Sequence, residues 1–166
     1  MAESDQALDL RSVKFSYVPQ KRILDIGQLQ VARGERVFLC GPSGSGKTTL
    51  LGLLAGVLRA DSGQVKVLGR DLAAMSSAAR DRFRGSHIGY IFQLFNLIPY
   101  LSVLENIVLP CKFSAERRAR LNGSSMEAAA RHLAERLGIS ALLDQNVSNL
   151  SVGQQQRVAA ARSLIG

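Results

Sequence analysis

The chain has 166 residues, which is enough for one ordinary domain or for part of a larger one. Hydrophobic residues make up 46% and charged residues 20%, a globular composition that excludes a disordered chain. The net charge of +8 raises nucleic acid or an anionic membrane as a partner, and two cysteines are too few for a disulfide framework.

Neither an export signal nor a membrane-spanning helix is predicted. Residues 1–5 lack the basic and apolar regions of a signal peptide. The longest uncharged run, 85–104, is interrupted by polar residues and a proline, whereas a spanning helix needs about 20 predominantly apolar residues. We therefore expect a chain that is soluble by itself.

The first forty residues are predicted to form strands. Apolar and polar residues alternate in 8–17 and again in 23–31, which is typical of half-buried strands. The run 36–40 is short, apolar and flanked by glycines, which predicts a strand buried on both faces.

A glycine-rich segment follows this run and precedes a predicted helix from Lys47 to about Leu58. It matches the pattern G-x-x-x-x-G-K-[ST], in which glycines turn backbone N–H groups toward a polyphosphate at the positive end of a helix. Lys47 is predicted to reach the β- and γ-phosphates, and the Thr48 hydroxyl to coordinate Mg²⁺. The residues assigned to phosphate binding are Gly41, Pro42, Ser43, Gly44, Ser45, Gly46, Lys47, Thr48 and Thr49. A nucleoside triphosphate is the expected ligand, and a plain glycine-rich turn is the alternative.

The rest of the chain changes from strands to helices. A short strand is predicted at 64–68, a polar helix from Ser76 or Ser77 to Arg84, and a second buried strand at 88–92. Further helices are predicted at 103–109, ending before Pro110, at 127–137, ending at Gly138, and at 151–165. This order predicts an α/β fold around a parallel sheet.

A second motif lies near the end of the chain, Leu150-Ser151-Val152-Gly153-Gln154. Together with the upstream phosphate loop, it resembles the signature of ABC-transporter ATPase domains. The family pattern is Leu-Ser-Gly-Gly-Gln, so a valine stands where a glycine is usual. The motif alone also fits a serine-capped helix. The resemblance covers the chain from about Leu8 to Gly166.

The resemblance implies roles for residues outside the phosphate loop. Tyr17 would stack on adenine, and Gln93 would contact Mg²⁺ beside Thr48 and the attacking water, so that Gln93 and Lys47 are the catalytic residues present. A second ATP-binding subunit would pack head to tail, with the phosphate loop of one copy facing the signature of the other. The signature residues that act across this dimer are Ser151, Val152, Gly153 and Gln154. The implied cofactors are ATP and Mg²⁺.

The fold implied by the resemblance is a P-loop NTPase (RecA-like) core with an N-terminal antiparallel β subdomain and a helical insertion. Residues 1–95 and 151–166 would form the core, and 96–150 the helical subdomain. The family takes an aspartate and a catalytic glutamate from an apolar strand after the signature, and a switch histidine after that. Only twelve residues follow Gln154, and no such strand is found among them. We therefore expect an α/β domain with its C-terminal part missing, poorly stable alone and without ATP turnover.

Residues 92–99 and 101–107 resemble the ATPases of lipoprotein release and macrolide-type export. This resemblance implies an energy-coupling subunit on the cytoplasmic face of the inner or plasma membrane, held there by a permease that docks at 93–100. The alternatives are a soluble ABC-type ATPase acting on nucleic acid or ribosomes, and a nucleotide-binding scaffold without turnover. Arg117, Arg118 and Arg120 are interpreted as a solvated helix face, so no nucleic-acid partner is expected.

Overall fold

The computed structural model describes residues 6–166, which form two compact units that divide between Asp81 and Arg82. The first unit contains β1 (Gln6–Val18), β2 (Lys21–Ala32), α1 (Lys47–Leu54), β3 (Ser62–Val67) and β4 (Arg70–Asp71). Helix α2 (Ser77–His87) contains the boundary. The second unit contains α3 (Val103–Phe113), α4 (Ala115–Ala119), α5 (Met126–Arg136) and α6 (Val152–Leu164). Two 3₁₀ turns, Ser140–Leu142 and Val147–Asn149, lie between α5 and α6.

The sheet of the first unit is antiparallel and has the strand order β2-β1-β3-β4. Leu10 and Val13 of β1 are both fully buried, although an odd spacing of three would place them on opposite faces of a regular strand. Ser12 between them has a positive φ of 51°, and the pairing of β1 with β3 shifts at this point. A bulge therefore returns the apolar residues to the core face. Gly63 lies opposite, where a Cβ would overlap the Ser12 carbonyl.

The second unit buries the facing sides of α3, α5 and α6. Its core contains Val103, Ile107, Cys111, Ala130, Ala134, Val158 and Ala161. Asn106 is also fully buried, and its side chain bonds the N–H and carbonyl of Ile98 and the carbonyls of Leu101 and Ser102. A buried amide with this many partners fixes the turn that leads into α3.

Two predicted strands are wrong. Residues 36–40 and 88–92 are coil, with Phe38 89% and Ile91 46% exposed. A strand buried on both faces needs neighbouring strands to satisfy its N–H and C=O groups. Among residues 6–166 no strand pairs with either run. Both runs therefore stay outside the sheet, although they are apolar.

Three predicted helix ends also differ, and one is that of α2, which ends at His87 rather than at Arg84. Helix α1 ends at Leu54 rather than near Leu58, and Gly56 has a φ of +67°, which turns the chain away. Helix α3 continues past Pro110 to Phe113, and Cys111, the residue after the proline, packs into the core. The boundaries 95/96 and 150/151 between core and helical subdomain stay a prediction. Within 6–166, no helix combines the length and hydropathy needed to cross a bilayer.

Candidate functional site

The glycine-rich loop leads directly into α1 and has glycine where its backbone requires it. Gly44 and Gly46 have φ values of 80° and 90°, in the left-handed region that other residues rarely adopt. A Cβ on Gly46 would lie 2.7 Å from Leu24 Cδ2 and 3.3 Å from the Ile23 carbonyl oxygen. Position 46 therefore requires glycine for two reasons, its left-handed backbone and its close approach to β2.

The N-terminus of α1 has no side-chain cap, since Gly46 occupies the capping position. The other α-helices described each begin after a serine whose hydroxyl accepts an N–H of the first turn. These serines are Ser76, Ser102, Ser114, Ser125 and Ser151. The N–H groups of the first turn of α1 therefore stay available at the positive end of the helix, an arrangement that suits a bound anion.

The Lys47 ammonium group folds back over the loop. Lys47 Nζ donates to the carbonyl oxygens of Gly41 at 2.8 Å and Pro42 at 2.7 Å, and lies 3.4 Å from Ser45 Oγ. All three acceptors belong to the loop itself. A phosphate oxygen entering the loop can take the place of these carbonyls, and the lysine needs little rearrangement to bind it.

The exposed Thr48 hydroxyl follows Lys47 and is an oxygen ligand of the kind Mg²⁺ prefers. No group of three acidic, histidine or cysteine side chains among residues 6–166 could hold a metal ion. Mg²⁺ normally binds one or two protein oxygens together with substrate phosphates and water. The Thr48 oxygen therefore fits a magnesium ion that arrives with a nucleotide.

Tyr17 is held beside α1 by two contacts. Its hydroxyl lies 3.2 Å from Thr49 Oγ1, and its ring meets Phe15 edge to face with centroids 4.9 Å apart. Thr49 is buried, whereas Tyr17 is 61% exposed. The aromatic ring is thus fixed next to the phosphate loop with much of its surface open to solvent. The sequence alone does not reveal the bond to Thr49, because it depends on how β1 and α1 pack.

The signature motif forms the N-terminus of α6. Ser151 Oγ accepts the Gln154 N–H at 3.3 Å, and Gln154 Oε1 accepts the Ser151 N–H at 2.8 Å. This reciprocal pair is a capping box, and the spacing Ser-x-x-Gln is its sequence signal. Val152 is 71% exposed, and a Cβ on Gly153 would meet nothing within 4 Å. The side chain of Val152 therefore points to the surface, and the capping box of Ser151 and Gln154 is formed beside it.

Gln93 is exposed and begins a tight surface turn. The next residues include Phe95 and Asn96, which both have left-handed backbones with φ values of 59° and 47°. Arg162 of α6 donates to both of their carbonyl oxygens, at 2.7 Å for Asn96. Burial lowers the pKa of Arg162.

The prediction of a solvated face is wrong for Arg117, which is buried, whereas Arg118 and Arg120 are exposed. Arg117 is only 4% exposed and donates to the carbonyls of Gly85, Ile88 and Ile165, at and just beyond the C-terminal ends of α2 and α6. Arg118 reaches Cys111 near the end of α3, and Arg120 reaches Gly166. Guanidinium groups commonly satisfy the last carbonyls of helices, where the helix dipole favours a cation.

The predicted site residues are divided between the two units. Tyr17 and the phosphate loop lie in the first unit, and Gln93 and the signature lie in the second. A magnesium site shared by Thr48 and Gln93 therefore stays a prediction.

Known proteins resemble this chain over most of its length. The lipoprotein-releasing system ATP-binding protein LolD of Chromohalobacter salexigens is 41% identical over 143 residues, 86% of this chain and 58% of that protein. The ABC transporter ATP-binding protein YbbA of Escherichia coli K12 is 44% identical over 139 residues, 84% and 59% respectively. The macrolide export ATP-binding/permease protein MacB of Shigella flexneri is 36% identical and matches 95% of this chain and 24% of that protein.

A solved structure also matches, that of the dimeric bacterial ABC transporter cassette MJ0796. It superposes with a TM-score of 0.84 at 30% identity, over 95% of this chain and 69% of that chain. The same cassette is also known bound to ADP and Pi. The present chain spans less than three fifths of LolD and YbbA. The family model for the ABC transporter matches residues 24–166, and the α/β fold agrees with that of the cassettes, so the chain belongs to the ABC transporter family.

Proposed function

We propose that this chain binds ATP with Mg²⁺ and serves as the energy-coupling, ATP-binding part of an exporter. The observation that carries the proposal is the uncapped N-terminus of α1 behind two left-handed glycines, with the Lys47 ammonium group over the loop. A polyphosphate is the ligand that these N–H groups and this cation suit together.

In this proposal different residues bind the phosphates, the adenine and the magnesium ion. The loop N–H groups and Lys47 Nζ bind the β- and γ-phosphates, and the exposed ring of Tyr17 stacks on the adenine. Thr48 would hold Mg²⁺, and the family resemblance assigns Gln93 to the same ion, which would supply charge neutralisation at the phosphate oxygens. Lys47 must exchange the carbonyls of Gly41 and Pro42 for phosphate oxygens, so the loop gains its ligand as it loses two internal hydrogen bonds.

A second copy of the ATP-binding subunit completes the site in this proposal. Ser151, Val152 and Gly153 are exposed at the N-terminus of α6, which is where an anion held by another subunit can be bound. The related cassette MJ0796 has a dimeric structure, which supports an arrangement of this kind.

The proposed permease contact is the segment 93–100. Leu94 is 83% and Tyr100 81% exposed, so this segment presents large apolar side chains to solvent that a docked permease would cover. LolD is described as part of a lipoprotein-releasing system and MacB as an ATP-binding/permease protein. These relatives support export or lipoprotein release, and a place on the cytoplasmic face of the membrane through the permease.

The 166 residues themselves are proposed to bind ATP without turning it over. No apolar run followed by Asp-Glu is found in the sequence. No residue of this chain therefore corresponds to the aspartate and the catalytic glutamate that the family uses for hydrolysis. Steady Mg²⁺-dependent hydrolysis by this chain, abolished by Lys47→Ala, would contradict this part of the proposal and leave the binding part standing.

Calorimetric titration with ATP and Mg²⁺ tests the binding proposal. Removing the Lys47 ammonium loses charge-assisted hydrogen bonds to phosphate, each worth about 1.5–3 kcal/mol, so Lys47→Ala should weaken binding roughly a hundredfold. Lys21→Ala, an exposed lysine of the same unit, is the matched control and should bind like the parent. Equal affinity of the two variants would refute the proposal. Salt-dependent retardation of duplex DNA would instead favour the alternative that acts on nucleic acid.

A further inference from the structure

Arg162 connects the signature helix to the turn that follows Gln93. Its Nη1 donates to the Asn96 carbonyl at 2.7 Å and its Nη2 to the Phe95 carbonyl. Two parallel donors from one planar guanidinium fix the orientation of both carbonyls, which a single point charge cannot do. The same helix is capped by the signature serine, Ser151, eleven residues earlier along the chain.

The turn that Arg162 holds has an unfavourable backbone. Phe95 and Asn96 are consecutive residues with φ values of 59° and 47°. Asparagine tolerates the left-handed region and phenylalanine rarely adopts it, so the turn needs support from its surroundings. Its internal hydrogen bonds run from the Phe95 N–H to the Phe92 carbonyl at 2.9 Å and from the Asn96 N–H to the Leu94 carbonyl at 2.6 Å.

Both terminal nitrogens of the Arg162 guanidinium bind this turn. Its guanidinium donates to the two carbonyls of the turn, and burial lowers its pKa. A guanidinium withdrawn from water to bind two carbonyls is costly unless the bonds it makes are well formed. Arg157, on the same helix, is exposed and offers a matched control.

We infer that Arg162 is a positioning residue that makes the turn after Gln93 and the signature helix α6 move as one element. A displacement of residues 93–96 then reaches Ser151 through α6 without a change in the helix itself. The inference rests on the proposed role of 93–100 as the permease contact, because a movement of the permease would then displace this turn and, through α6, Ser151.

Amide hydrogen exchange on the nucleotide-free chain tests the clamp itself. In Arg162→Gln, the amides of Phe95 and Asn96 should exchange at least tenfold faster, while those in the middle of α6 change less than twofold. Arg162→Lys should show an intermediate effect, since an ammonium group cannot bridge both carbonyls in a fork. Arg157→Gln should leave all of these rates unchanged. Exchange at 95–96 that is the same in Arg162→Gln and Arg157→Gln would overturn the inference.

A second-site substitution separates positioning from general stabilisation. Asn96→Gly relieves one of the two left-handed residues, so in the Arg162→Lys background it should return the exchange of Phe95 at least threefold toward the parent rate. A residue that only stabilised α6 would show no such rescue. If Arg162→Gln loses the protection of α6, the lysine variant with and without Asn96→Gly decides the question.

Spin labels test whether the turn and the signature move together. Labels at Leu94→Cys and Val152→Cys, both exposed in the parent, are placed in a Cys40→Ser background. The distance distribution between them should broaden in Arg162→Gln and stay narrow in Arg157→Gln. Equal widths would overturn the inference. All of these measurements are made without nucleotide, so their outcome is independent of ATP binding. ATP binding is tested separately by the titration of Lys47→Ala.

Discussion

Arg117→Met is expected to destabilise the second unit strongly. The guanidinium donates to the carbonyls of Gly85 at 2.6 Å, Ile165 at 2.6 Å and Ile88 at 3.0 Å, and the residue is 4% exposed. Methionine matches the length of the side chain but donates to none of them. Each buried carbonyl left without a partner costs about 1–3 kcal/mol, and water can reach some of them, so we expect a loss of roughly 3 kcal/mol in total.

Amide exchange of the α3 core measures this loss in the unit where it occurs, because a chain with two units need not unfold in one step. A loss of roughly 3 kcal/mol corresponds to a fall of about a hundredfold in the protection of Ile107 and Val108. Arg118→Met is the matched control, since this neighbouring arginine is exposed and reaches only the end of α3. A loss for Arg117→Met no larger than that for Arg118→Met would refute the idea that one buried cation holds the ends of two helices.

Three further predictions concern the first unit. Gly63→Ala should cost about 2 kcal/mol more in thermal unfolding than Gly34→Ala, because both glycines have positive φ but only at 63 would the Cβ overlap a carbonyl of β1. The hydrogen bond from Arg11 lowers the pKa of the buried Asp9 below its ordinary 3.8. Asp9 therefore stabilises the sheet above pH 3.8, and this contribution is lost as the pH falls through the lower folded value; Asp9→Asn should flatten the acid limb of a stability profile. Cys40 is exposed directly before the phosphate loop, so ATP with Mg²⁺ should slow its reaction with a thiol reagent, and an unchanged rate would count against the site.

The parts of the molecule that follow from local pattern are those that the sequence predicts well. The alternation in β1 and β2, the phosphate loop before α1 and the serine before α6 each depend on residues close together in the chain. The capping box of Ser151 and Gln154 can also be predicted from the sequence, because the spacing Ser-x-x-Gln is a recognised signal.

The parts that depend on distant partners could not be predicted in the same way. The run 36–40 has the composition of a buried strand, but a strand forms only where a neighbour pairs with it. Arg117 belongs to a group of charges that a helix normally turns to solvent, and its acceptors lie about 30 and 50 residues away in the chain. Whether Tyr17 stands beside α1 likewise depends on packing between elements that the sequence separates by 32 positions.

The uncapped start of α1 has a thermodynamic consequence for the first unit. The other helices described carry their caps in the sequence, so the stability of their first turns is independent of what is dissolved around them. In α1 the proposed nucleotide takes the place of a capping side chain, and a ligand that binds only the folded state stabilises it by about 2.7 kcal/mol at a hundred times its dissociation constant. The melting temperature of this unit should therefore rise with the logarithm of ATP concentration, so the nucleotide sets the stability that a side-chain cap sets in the other helices.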